Sequence, residues 1–226
     1  MSTLDLIKEV SQLTDRAILF HSAAGKDSIA LLDLMHPYFK EIQCVFMYIV
    51  PELEHINKYI QYAERKYDVQ FIQIPHFALY NYIKIGHLGI QKDIKTHLPN
   101  LAIITDRIKT KFGIDWAFFG FKQSDSMNRR LMLRTYENNA INFKNKKCYP
   151  LSEWKNADVL KYIESKQLIN PIHYGGICQS SGTSIDDINF LLYCKKYYPN
   201  DYQKVLLYFP LAELIVYKHE QGRKTA

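Results

Sequence analysis

The chain has 226 residues, of which 47% are hydrophobic, 14% aromatic and 23% charged, an apolar share that excludes a disordered chain. A chain of this length buries about 70% of its unfolded surface, so its core requires neither disulfides nor a structural metal. The net charge of +6 suits anionic partners such as nucleotides, sulfated compounds or nucleic acid, although many proteins with no such partner share it.

Leu4, Ile7, Val10 and Leu13 recur at helical spacing and predict an opening helix over residues 3–14. This stretch carries Asp5, Lys8 and Glu9, so it lacks the apolar centre of a secretory leader. Ala17 to Phe20 is a short apolar run, as in a strand buried on both faces. After a glycine-containing turn, Ile29, Leu31, Leu32, Leu34 and Met35 predict a helix ending before Pro37. Ile42 to Val50 reads as a second strand, Ile56, Tyr59, Ile60 and Ala63 as a helix, and Val69 to Ile74 as a third strand. Residues 77–100 carry no clear period. Ile103, Ile104, Ile108 and Phe112 mark a further helix, and Trp116 to Phe119 a fourth strand. From residue 151 the pattern becomes helical, over 156–166, 185–197 and 201–218.

Such alternation predicts right-handed βαβ crossovers and a mainly parallel, Rossmann-like α/β sheet with flanking helices. Residues 1–150 form the α/β domain and 151–226 a helical C-terminal extension of it. Ligands of such sheets bind beyond the carboxyl ends of the strands, so the loops at 21–28, 48–54 and 120–130 are expected to share a crevice. No apolar run approaches the about 18 residues of a membrane span, and a cytoplasmic chain without a membrane partner is expected. The four cysteines, Cys44, Cys148, Cys178 and Cys194, show no CxxC pair and no metal-ligand spacing.

The segment from Ala17 through His21, Ser22, Ala23, Ala24, Gly25, Lys26, Asp27 and Ser28 joins a strand, a turn of small residues and a helix start. Small side chains let main-chain N–H groups approach phosphate oxygens, and the helix dipole favours an anion there. Lys26 adds a mobile charge and Ser28 a hydroxyl. Asp27 suits both a helix cap and a magnesium ligand. A Walker A loop needs a glycine five positions before Gly25 and a serine or threonine after the lysine; Phe20 and Asp27 stand there.

Ala23 to Ser28 instead resembles the S-G-G-x-D-S signature of the PP-loop ATP pyrophosphatases, with Ala23 and Ala24 replacing the first serine and glycine and Ser22 as a substitute hydroxyl. Gly120 to Arg129 resembles the G-x-R-x-x-E-S-x-x-R element of the phosphoadenosine phosphosulfate (PAPS) reductase branch: Lys122 stands for the arginine and Asp125 for the glutamate, while Ser126 and Arg129 match. Tyr149 to Trp154, Asp158-Val159, Tyr162-Ile163 and Asn170 to Gly176 are similar to that branch's proline–tryptophan and N-P-L-Y stretch. The chain is thus similar to the PAPS reductase-like members of the adenine nucleotide α-hydrolase superfamily, whose sheet is of the HUP type.

The resemblance implies a nucleotide site of Ser22, Ala23, Ala24, Gly25, Lys26, Asp27, Ser28, Gly120, Lys122, Ser126 and Arg129, with adenine near Met47, Tyr48 and Ile49. Lys26, Asp27, Lys122 and Arg129 would be the catalytic set, with ATP and a magnesium ion on Asp27 as cofactors. The family's reductases use a cysteine near the C-terminus, but no cysteine follows Cys194 here, which leaves Cys178 as the one reactive-thiol candidate. Lys26-Asp27-Ser28 matches the members that use ATP. Three readings stay open: ATP-dependent adenylation of an acceptor, PAPS or APS reduction, and a nucleotide-binding module without catalysis. The acceptor is not identified, and nucleic acid or a partner subunit remain candidates. No iron–sulfur cluster is expected, since the cysteines are not clustered. His21, His55, His76, His87 and His97, the tyrosines at helical spacing and Lys144 to Lys147 read as structural or solvated.

Overall fold

A computed structural model describes residues 1–175 and 184–224; Gly176 and Cys178 lie outside the described residues. Helix α1 (Thr3–Ser11) is fixed at its start by a reciprocal pair: Ser2 accepts from the Asp5 N–H, and Asp5 accepts from the Ser2 N–H. Strand β1 (Arg16–Phe20) leads into α2 (Lys26–Met35), and Pro37 sits in the 3₁₀ turn that follows. Strand β2 (Glu41–Tyr48), helix α3 (Glu54–Tyr67) and strand β3 (Gln70–Pro75) come next. Residues 77–100, which lack a period, begin with α4 (Phe77–Ile85), which stops at Gly86 with φ 73°. Its exposed Ile85 and half-buried neighbours blur the apolar face that periodicity needs.

Helix α5 (Leu101–Phe112), capped by Asn100, and strand β4 (Ala117–Phe119) follow, then α6 (Met127–Leu133). A short hairpin of β5 (Ile141–Asn142) and β6 (Lys147–Cys148) comes next, and Lys144 to Lys147 run through its turn into β6. After residue 150 come α7 (Asn156–Ser165), α8 (Ile188–Tyr197), α9 (Pro199–Tyr208) and α10 (Ala212–Lys224). The helix expected over 201–218 is therefore two, broken at Phe209-Pro210. Proline has no N–H to donate and clashes with the preceding turn.

The sheet runs β3-β2-β1-β4-β6-β5, parallel throughout except for the β5–β6 pair. Chain order reverses between β1 and β4, so the crevice beyond their carboxyl ends is the switch point where ligands of such sheets bind. One face packs Leu19, Cys44 and Phe118 against α1 and α2 through Ile7, Leu31 and Met35. The other packs Ile18, Phe20, Val45 and Phe119 against Ile104 and Ile108 of α5. Burying a side chain of this size contributes about 1.5–3 kcal/mol, which fixes the strand ends that carry the loops.

Helices α8–α10 pack through Phe190, Leu191 and Val205 on Ile56 and Ile60 of α3, in the cluster that also holds Ala23, Ala24, Ile49 and Leu53. Helix α7 packs Val159 and Ile163 on Ile29 and Ala30 of α2. Asp33 of α2 accepts from the Tyr67 hydroxyl at 2.8 Å and the Tyr162 hydroxyl at 2.7 Å, tying α2 to both α3 and α7. No described helix is long and apolar enough to cross a membrane.

Candidate functional site

Strand β1 is buried along nearly its whole length and delivers the chain to the switch point at Phe20. His21 still bonds into the sheet, its N–H donating to Val45 O at 2.9 Å. The turn then closes on itself. The Ser22 N–H donates to Ser28 Oγ at 2.9 Å, and the two hydroxyls lie 2.9 Å apart. Ala23 takes φ 52°, a left-handed conformation that β-carbon crowding disfavours. A β-carbon on Gly25 would overlap the Ser22 hydroxyl, so a larger residue there would turn that hydroxyl away and break the pair. Gly25 heads α2 without any side-chain cap; the Ser28 N–H donates to Gly25 O at 3.1 Å, which leaves the Lys26 and Asp27 amides for an outside acceptor. Ser22 and Ser28, expected as free hydroxyls, bond to each other with one of their two protons, and Ser28 is buried.

The second segment meets the first at one point. A β-carbon on Gly120 would stand 3.1 Å from Asp27 Cβ and 3.4 Å from the Asp27 carbonyl carbon, so the residue after β4 must be small. Lys122 Nζ is 2.6 Å from Asp27 Oδ1 and 2.9 Å from Asp125 Oδ1, with its side chain 0% exposed. Asp27 also holds Lys26 Nζ at 3.0 Å, and Asp125 holds Arg129 at 2.6 Å. Three cations and two carboxylates thus alternate along the crevice, with one positive charge in excess.

Lys122, expected to meet phosphate directly, reaches the turn through Asp27. Burial opposes ionisation of Asp125, but hydrogen bonds from the Lys122 ammonium and N–H, together with the positive charges, outweigh it and hold the carboxyl below its ordinary pKa. The Arg129 guanidinium also lies 4.0 Å above the Phe121 ring and is 40% exposed, the most open cation of the set. Ser126 is occupied as the cap of α6, accepting from the Arg129 N–H at 3.2 Å.

Sheet alternation separates the residues expected around adenine. Met47 is half-buried on the α5 side, Tyr48 is half-buried on the side of α3, and Ile49 is closed into the core. Asp27, the expected magnesium ligand, lies between two ammonium groups. A lone carboxylate suits Mg²⁺ only where phosphate oxygens complete the shell.

His21 sits directly before the turn, fully buried, with no partner for either ring nitrogen among the described residues, and burial lowers its pKa to about 3. Sequence reading passed over the buried contacts of His55 with Asp201 and Tyr174, and the Ile172 N–H donating to Ala24 O at 3.3 Å. The partners are 146 and 119 residues apart for His55, so no local spacing could reveal them.

The family model described as the phosphoadenosine phosphosulfate reductase domain matches residues 17–198. No curated protein matches the chain. Among solved structures, the chain is similar to the U34-tRNA thiolase NcsA from Methanococcus maripaludis with its [4Fe-4S] cluster, at 16% identity and a TM-score of 0.49, covering 93% of this chain and 78% of that one. It is also similar to a phosphoadenylyl-sulfate (PAPS) reductase from Candida auris, in a phosphate complex, at 12% identity and a TM-score of 0.49, covering 76% and 82%.

The expectation that the chain has no iron–sulfur cluster is corrected on this comparison, because the thiolase carries one. Among the described residues, Cys44 and Cys148 lie buried in one packing cluster and Cys194 in another. No group of three or more His, Cys, Asp or Glu among the described residues is placed to hold a metal ion, so these residues by themselves do not fit a cluster. The matched segment spans most of the sequence, from the first residues of β1 through α8, and includes both halves of the crevice: the chain belongs to the phosphoadenosine phosphosulfate reductase domain family, within the PP-loop and adenine nucleotide α-hydrolase superfamily.

Proposed function

We propose that the chain binds an adenine nucleotide with its anionic tail on the 22–28 turn and, with ATP, transfers the adenylyl group to an acceptor. The observation that supports this best is the junction of Gly120 with Asp27 and of Lys122 with Asp27 and Asp125, which joins two distant motifs at the switch point. In the reaction an acceptor oxygen attacks the α-phosphorus. The bond from that phosphorus to the bridging oxygen breaks, and pyrophosphate leaves with the electron pair. Transfer of this kind depends mostly on positioning and electrostatics. The α2 amides and Lys26 would hold the β- and γ-phosphates. Arg129 would meet charge developing on the transferred group, and Lys122 would keep Asp27 and Asp125 ionised and in place. Adenine would lie near the carboxyl end of β2, on the Tyr48 side that also holds Ala23 and Ala24. The acceptor, including nucleic acid or a group delivered by a partner subunit, is open, and ATP supply fits a cytoplasmic reaction.

Calorimetry of ATP, ADP, AMP and PAPS against wild type and a Lys26→Ala, Asp27→Ala variant tests the reading. ATP binding that the variant abolishes is the expected result, followed by pyrophosphate release with a competent acceptor. PAPS binding far tighter than ATP, and surviving the variant, refutes it. That outcome would favour sulfonucleotide reduction through Cys178, the reading that the matched family itself suggests. Loss of sulfite production in Cys178→Ser would then be expected. Tight ATP binding without turnover under any acceptor would leave a nucleotide-binding module.

A further inference from the structure

Residues 170–175 form an irregular segment with no helix or strand of its own, yet hydrogen bonds to described residues hold it at three points. The Tyr59 hydroxyl donates to Asn170 O at 2.7 Å, the Ile172 N–H to Ala24 O at 3.3 Å, and the Tyr174 hydroxyl lies 2.8 Å from His55 Nε2. Tyr59 and His55 both belong to α3, so one helix grips the segment at both ends while its middle touches the phosphate turn. His55 is in turn fixed by Asp201 of α9, whose Oδ2 is 2.6 Å from Nδ1. Asp201 also accepts from the main-chain N–H of Glu54 at 2.7 Å and of His55 at 3.0 Å. Leu53, which heads α3, has no side-chain cap, and Asp201 supplies it from another helix.

His55 and Asp201 are buried, and rings of Phe190, Tyr193 and Tyr198 surround the imidazole. Asp201 accepts at every contact, so Nδ1 donates and Nε2 meets the Tyr174 hydroxyl. Apolar packing alone would tolerate sliding of Tyr174; a hydrogen bond to a ring itself locked at its other nitrogen does not. We infer that His55 and Asp201 are positioning residues. Through Tyr174 they hold segment 170–175 against Ala24 as a wall of the phosphate turn, and so set nucleotide affinity from α9. The inference takes its ligand from the nucleotide reading above, but its geometry stands apart from it.

Tyr174→Phe keeps the ring against Phe190 and Tyr193 and removes only the hydroxyl. ATP affinity is expected to fall by about two- to tenfold, the fold-change of one hydrogen bond. Hydrogen exchange is expected to quicken at the Ile172 amide and across residues 22–25. The control is Val205→Ala, a cavity in the same core cluster. It should lower the melting temperature without changing affinity or exchange at 22–25. Unchanged exchange at 22–25 in Tyr174→Phe, or the same affinity loss in the control, overturns the inference. A wild type that binds no adenine nucleotide overturns the nucleotide reading instead, and the exchange result still decides this one.

Discussion

Replacing Lys122 by methionine keeps the length of the side chain and removes its charge. In the folded chain this ammonium is fully buried and touches two carboxylates, at 2.6 and 2.9 Å. Breaking a buried ion pair by deleting one partner costs about 3–5 kcal/mol. Here each carboxylate keeps one cation, Lys26 for Asp27 and Arg129 for Asp125, and each side chain is about one-fifth exposed, at 24% and 18%. The lower end of that range, about 3 kcal/mol, is therefore expected. For a chain of this size that lowers the melting temperature by roughly 6–12 °C. Urea unfolding followed by circular dichroism reads the stability, and calorimetry with ATP reads the site. Adding Asp125→Asn to Lys122→Met should recover part of the loss, because it removes one of the two carboxylates that the buried ammonium had bridged. A Lys122→Met protein as stable as wild type, with unchanged ATP affinity, would refute the role given to this buried cation.

Gly120→Ala forces Asp27 to move, because the new methyl meets the Asp27 backbone as well as its side chain; overpacking of this kind costs about 1–3 kcal/mol and should weaken ATP binding in the same titration. Burial would raise the pKa of Asp201, but the hydrogen bonds from the His55 ring and from the main-chain N–H of His55 and Glu54 outweigh it and lower it. Stability from this depressed carboxyl is fully present above its unfolded pKa of about 3.9 and is lost as pH falls below it. Urea midpoints should therefore drop below about pH 4 in wild type and drop less steeply in Asp201→Asn. Cys44 and Cys148 are buried with thiol pKa values pushed upward by desolvation, and Cys194 is buried as well. An aromatic disulfide reagent should modify the native chain at one cysteine at most, Cys178, and all four after unfolding.

The strands and the turn were readable because their signals are local. Ala17 to Phe20 is continuously apolar and Gly25 precedes a periodic helix, so β1, the turn and α2 follow from neighbouring residues. Gly120, Asp125 and Arg129 were recognisable as a motif, and the crevice they form with Asp27 follows from strand order. What stayed hidden depends on tertiary contact. Lys122 reads as a phosphate-facing cation until two carboxylates enclose it. Ser22, Ser28 and Ser126 read as ligand hydroxyls, and only the folded chain shows that they also bond within it. The β5–β6 hairpin is too short for alternation to register, and Asp201 caps a helix 147 residues upstream.

Asp33 sits two turns along α2 from the phosphate turn, and both of its oxygens are taken by tyrosine hydroxyls from flanking helices. The helix aimed at the crevice is thereby clamped at its rear on two sides. If an anion binds there as proposed, accommodation falls to the Lys26 side chain and to the few residues before Gly25 rather than to the helix. Most of the ordering is completed when the chain folds, and little entropy would remain to be lost at capture.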